Sequence, residues 1–147
     1  MNIFLIDEDP LVSAEKLVTR DPIRARKQLV ECCQILATCD ILGAGSTDMT
    51  RADGESYALA HQHHPLILWS TINWTQWWLC NQVGLGLATC MPEHASATSY
   101  LSWRYRHRPY RSFSLILWRR GYAPLRCADM SIYAKHCMDY LVQRKWS

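Results

Sequence analysis

Residues 66–90 constrain the fold more than any other stretch. Leu66 to about Cys90 follows a helical pattern, with Trp69, Asn73, Trp77, Cys80 and Gly84 on one face and Ile72, Leu79, Val83 and Leu87 on another. A helix that is apolar on most sides belongs in the middle of a bundle. Pro65 suits its first turn. Gly84 and Gly86 each cost such a helix about 1 kcal/mol relative to Ala, which makes sense where a neighbour must approach closely. The expected fold class is therefore mainly α: a helical bundle with a short N-terminal segment, Asn2 to Ile6, that is extended or buried. The 147 residues fit a single domain.

Two more helices precede this one. Asp9 and Pro10 start a helix through about Val18. Asp21 can cap a second, Pro22 fits its first position, and the pattern runs to about Thr38. Ala25, Leu29, Cys32, Cys33 and Leu36 share one face of it. Arg24, Lys27 and Glu31 share the opposite face, with Arg20 just before the cap. Two readings of that polar face stand side by side. It is a solvated surface with a Lys27/Glu31 pair worth about 0.3–0.5 kcal/mol, or it is a face kept for an anion. The second draws on Arg24, a cation in the first turn, where the helix dipole disfavours positive charge.

Residues 43–56 read as a mobile loop. Residues 91–99 are a polar connection, and 100–111 a helix end or extended basic segment. Phe113 to Arg120 is a short apolar stretch closed by Gly121. Asp129 starts a last helix with Ile132, Tyr133, His136, Cys137, Tyr140 and Leu141 as its buried stripe. Arg144 and Lys145 suit its C-terminal end.

A formal charge of +3 does not by itself suggest nucleic acid, but the distribution is uneven. Residues 103–126 carry Arg104, Arg106, Arg108, Arg111, Arg119, Arg120 and Arg126 and no carboxylate. The seven cysteines form no Cys-x-x-Cys and sit mostly beside apolar residues, so they read as core fillers in a reducing compartment. The N-terminal apolar run is short and meets acids at Asp7, unlike a signal peptide. No apolar run reaches the ~20 residues of a membrane span. The expectation is a soluble, cytoplasmic protein.

The chemistry-bearing groups are few. His61, His63 and His64 cluster tightly without metal-ligand spacing, so no metal is expected. His64 is a phosphate contact or a structural histidine at a helix start. Trp69, Trp74, Trp77 and Trp78 read mainly as core, whereas Trp103 and Tyr105, interleaved with Arg104, Arg106 and Arg108, suit stacking on bases. Those arginines, with Arg111, are spaced for consecutive phosphates or belong to a solvated loop. Glu31 is the best single catalytic candidate, because a carboxylate beside arginines can act on a sugar–base bond or a phosphate ester.

Three patterns together resemble a known family. They are Met1-Asn2-Ile3-Phe4 near an acidic-Pro turn, Arg24-x-x-Lys27-Gln28-x-Val30-Glu31-x-x-Gln34-Ile35-Leu36, and His64-Pro65-x-x-x-Trp69. They are similar to the small phage and bacterial proteins described as pyrimidine-dimer DNA glycosylases, or endonuclease V-like, over roughly residues 1–90. The resemblance implies a mainly helical DNA-repair enzyme with no metal or cofactor, acting on damaged or modified double-stranded DNA in the cytoplasm of a cell or of a phage host. In that family the N-terminal amine attacks the sugar C1′, a Schiff base forms, and β-elimination cuts the strand. An early-helix glutamate assists, with a cationic residue seven positions before it. Carried over, these are Glu31 and Arg24, about two turns apart on one face. Lys27 lies between them and would hold a phosphate, and Arg20, His64 and the arginines of 104–111 would hold the distorted backbone. Position 2 is Asn, larger than the small residue the family exposes after methionine removal, so either the implied amine is that of Met1, with Asn2 beside it, or the mechanism differs. The alternative is a non-enzymatic protein that binds nucleic acid or a host protein on the same scaffold.

Overall fold

The computed structural model describes residues 3–51, 53–72, 74–94, 115–118, 124–127 and 130–146. Its architecture is a mainly helical bundle. The elements in order are α1 (Pro10–Arg20), α2 (Pro22–Ala44), α3 (Pro65–Ile72), α4 (Trp74–Cys90), a 3₁₀ turn (Pro92–His94), strands β1 (Leu115–Trp118) and β2 (Pro124–Cys127), and α5 (Met130–Arg144). Among the described residues, no helix is long and apolar enough to cross a membrane.

The first two helices start where their local chemistry dictates. The Asp9 carboxylate accepts the Leu11 and Val12 N–H groups at 2.8 and 3.1 Å, and Pro10 opens α1. Asp21 does the same for α2 through the Arg24 N–H at 3.0 Å, with Pro22 at its first position. The α2 helix does not stop near Thr38 but runs on to Ala44. Gly43 is tolerated inside the helix, and the stop is Gly45, whose φ of 83° is the left-handed conformation that favours glycine. Residues 43 and 44 therefore leave the expected loop and join the helix. Beyond them the chain folds back through a Thr50–Ser56 bridge, Met49 enters the core, and Ala60 is tied to Thr38 by two hydrogen bonds.

The α4 helix packs against α1, α2 and α3, as an all-round apolar helix should. Leu79, Cys80, Val83, Leu87 and Ala88 are buried on it. Gly86 is where α1 comes closest. A Cβ there would lie 2.9 Å from the Pro10 carbonyl oxygen and 3.2 Å from the Ala14 Cβ. On α2, Ala25, Leu29, Cys32, Cys33 and Leu36 are all buried, joined by Gln28 and Ile35.

The N-terminal segment is buried and extended, and among the described residues it has no sheet partner. Ile3, Leu5 and Ile6 enter the core. Side chains satisfy the backbone polar groups that a neighbouring strand would otherwise pair. Gln28 accepts the Phe4 N–H and donates to the Phe4 carbonyl, both at 2.8 Å. The Ser13 hydroxyl accepts the Ile6 N–H at 2.8 Å, and the Tyr133 hydroxyl donates to the Ile3 carbonyl.

The C-terminal part adds a strand pair and corrects one expectation. Leu115–Trp118, within the apolar stretch ahead of Gly121, is a strand paired antiparallel with Pro124–Cys127. A run of four apolar residues is too short for periodicity to separate strand from helix. The buried stripe of α5 is also narrower than its sequence suggests. Tyr133, Ala134, Cys137 and Leu141 are buried, His136 and Tyr140 are half-buried, and Ile132 is 51% exposed. The helix meets the N-terminal segment through Tyr133 and Cys137 and also contacts β1 and β2.

Candidate functional site

Asp21 sits where α1 ends and α2 begins, and it serves both. Its N–H donates to the Leu17 carbonyl at 2.8 Å, closing α1. Its Oδ1 accepts the Arg24 N–H at 3.0 Å, opening α2. Its Oδ2 accepts the Arg24 Nε–H at 3.1 Å and the Trp146 indole N–H at 2.9 Å. Burial pulls this carboxyl upward, but the bonds from Trp146 and Arg24 outweigh it and hold the group below the ordinary carboxylate range. The position of Arg24 in the first turn is thus explained locally: an adjacent carboxylate offsets the unfavourable dipole.

Arg24 forms one wall of a small cleft of about 110 Å³ between α2, the N-terminal segment and α5. Lys27, Gln28 and Glu31 line it from the same helix. Phe4 and Tyr140 supply its aromatic part, stacked with centroids 5.8 Å apart and planes 20° apart. Lys145, just past the end of α5, completes it. The Arg24 guanidinium also lies 5.9 Å from the Phe4 ring centroid. The expected Lys27/Glu31 pair is not formed. Among the described residues, Lys27, Glu31 and Lys145 have no ion-pair partner. Three cations and a half-buried carboxylate therefore face one space with two of the cations uncommitted. The cleft is smaller than the ~300–1,000 Å³ of drug-sized ligand pockets. It suits a phosphate or a sugar edge.

The other expected site residues are placed as follows. Arg20 does not line the cleft. Its guanidinium lies 4.1 Å over the Trp146 ring, and it borders a neighbouring groove with Ile6, Glu15, Lys16, Thr19 and Met138. The His64 Nδ1 accepts the Leu66 N–H at 3.1 Å, the geometry of a helix-start cap. Burial pushes the His64 imidazole below its ordinary value, and nearby positive charge adds to the shift. With Leu59, His61, Gln62 and His63 it lines a separate open groove of about 420 Å³. No group of three metal-capable side chains occurs among the described residues. Trp77 is core. Met1, Asn2, Trp103, Arg104, Tyr105, Arg106, Arg108 and Arg111 lie outside the described residues.

The opposite face of α2, and α4 packed near it, carry buried thiols. Burial pushes Cys33 up to about 12, with Cys32 adding to it, and Cys39 likewise to about 12. Cys80 is fully enclosed and also shifted up by burial. Thiolate, the reactive form, is suppressed at all three.

Sequence reasoning missed Phe4, Gln28, Tyr140 and Lys145. Gln28 left a signal, since it is a polar residue beside Leu29 and three positions after Ala25, both on the core face. The other three gave none, because tertiary packing alone brings them to α2. No family model, curated protein or solved structure matches this chain.

Proposed function

We propose that the chain is a DNA glycosylase/AP lyase acting on damaged or modified bases, with Glu31 and Arg24 at the reacting sugar. One observation carries the reading: Arg24, Lys27 and Glu31 open into the same cleft as Phe4 of the N-terminal segment. Phe4 is bonded through both backbone groups to Gln28, one turn of α2 from Glu31. An α-amine has a reference pKa near 8, which leaves a usable neutral fraction for attack on C1′.

In this reaction the amine nitrogen bonds to C1′ as the C1′–base bond breaks and the base leaves with a proton; the C1′–O4′ bond then opens, O4′ takes a proton and nitrogen loses one, leaving the imine. Loss of the C2′ proton from the resulting imine expels the 3′ phosphate. Glu31 is the group placed to move protons at the sugar. Lys27, Lys145 and Arg24 are placed to hold the adjoining phosphate. The cleft accepts a sugar–phosphate edge without a whole base, which fits a lesion whose base is flipped elsewhere.

Glu31→Gln is expected to lower cleavage of ultraviolet-irradiated duplex by about 10²–10⁴-fold while duplex binding persists. Borohydride is expected to trap a covalent adduct, and peptide mapping to place it on the N-terminal peptide. Irradiated and abasic duplexes left intact at high protein, with no trapped adduct, would sink the enzymatic reading. Duplex binding that is steep in salt and indifferent to Glu31→Gln would then mark a binding protein on this scaffold.

A further inference from the structure

Trp146 connects the two sides of the cleft. Beyond α5, the Lys145 and Trp146 N–H groups both donate to the Leu141 carbonyl at 2.8 Å. Leu141 is fully buried, so this turn is anchored to the core. The Trp146 indole reaches across 125 residues of sequence to Asp21 Oδ2 and shares that oxygen with the Arg24 Nε–H. The Arg20 guanidinium covers the indole ring from the α1 side. Lys145 precedes Trp146 directly and lines the same cleft as Arg24.

We propose that residues 145 and 146 act as a latch that assembles the cationic side of the cleft, with Trp146 as a positioning residue and Lys145 as a phosphate-binding residue. With the indole docked, Asp21 is held with one oxygen on the α2 backbone and the other on Arg24, which orients the guanidinium into the cleft. The same docking fixes the turn that carries Lys145. With the indole N–H removed, Oδ2 loses one of its two donors and the carboxylate turns toward water. Arg24 and Lys145 then lose their common reference point. The ligand class, a phosphodiester of DNA, rests on the proposed function. The latch itself does not.

The experiment uses the full chain in three forms: wild type, Trp146→Phe and Lys145→Gln. Trp146→Phe keeps a ring under Arg20 and removes only the donor, and unchanged far-ultraviolet circular dichroism verifies the fold. The Arg24 Nε–H resonance is followed by ¹⁵N NMR, with and without inorganic phosphate. Binding of a duplex carrying a non-cleavable abasic analogue is followed by anisotropy across salt concentrations. The latch predicts a sharp, slowly exchanging Arg24 Nε–H signal in wild type that broadens or disappears in Trp146→Phe. It predicts that Lys145→Gln flattens the slope of log K against log salt by about 0.9, the loss of one phosphate contact. It also predicts that Trp146→Phe raises KM on an abasic duplex more than it lowers kcat. An Arg24 signal identical in wild type and Trp146→Phe overturns the proposal, as does an unchanged salt slope in Lys145→Gln. If the duplex does not bind at all but inorganic phosphate shifts the Arg24 signal in wild type and not in Trp146→Phe, the DNA reading fails and the latch stands.

Discussion

Two helix starts with a titratable cap ahead of a proline behave differently. At Asp21–Pro22 the capping group has three donor contacts beyond its own N–H, one of them from the far end of the chain. At His64–Pro65 the cap has one contact, to an N–H two residues away. Both groups ionise at lower pH than their reference forms, for opposite reasons. Asp21 is lowered because hydrogen bonds to its charged form outweigh burial. His64 is lowered because burial penalises its charged form. A local cap fixes where a helix begins, whereas a cap shared with distant residues also decides what the helix presents. That is why the face beside Asp21 is a site candidate and the histidine turn is better explained as structure.

The sharpest way to break this comparison is to remove Asp21. Asp21→Ala deletes a cap worth about 1 kcal/mol and leaves Arg24 and Trp146 without their shared acceptor, at about 1.5–3 kcal/mol for a bond to a charged group. The site is half-buried, so the combined expectation is about 2–4 kcal/mol of lost stability, read as a lower urea midpoint with unchanged m-value. Asp9→Ala is the matched control. Asp9 caps α1 through two N–H groups of the same turn. Its loss is expected to cost about 1 kcal/mol. If the two variants are equally destabilised, Asp21 is only a cap and its tertiary bonds contribute nothing.

The same contrast explains what was legible in the sequence. Asp9-Pro10 and Asp21-Pro22 are local signals, so the starts of α1 and α2 were readable. So were the core face of α2 and the central place of α4, because burial follows helical periodicity. The end of α2 was not, because Gly43 and Gly45 look alike in sequence and only Gly45 adopts positive φ. Arg24, Lys27 and Glu31 were readable as one face, but not as a cleft. Phe4, Tyr140 and Lys145 complete it from elements far away in sequence, and no local pattern encodes that meeting. Ile132 was misplaced for the same reason: which side of α5 is covered is set by elements distant from it in sequence.

Acid separates the two caps next. Each native pKa is lowered, so each group stabilises the fold above its unfolded value and loses that stabilisation as pH falls through its native value. For His64 the loss begins below about pH 6.5, and for Asp21 below about pH 4. Between pH 7 and 5 the expected decline in stability is therefore carried by the His64 cap and leaves the Trp146 indole N–H resonance unmoved. Below pH 4 that resonance shifts as Asp21 protonates. A Trp146 shift between pH 7 and 5 would mean that the two regions are coupled and the comparison is misdrawn.

The smallest effect is expected at His64 itself. His64→Ala removes a single acceptor at the start of α3, so the cost is expected within the range of one local cap, about 0.5–1 kcal/mol. His64→Asn keeps a side-chain acceptor of similar reach and is expected to recover most of that cost. Neither change touches the cleft, whose lining excludes His64. Binding of the abasic-analogue duplex is therefore expected to keep its salt slope in both variants. A slope flattened by about 0.9 in His64→Ala and not restored in His64→Asn would make His64 a phosphate contact. The site would then extend from the cleft to the histidine turn, and the division between a structural cap and a functional one would have to be redrawn.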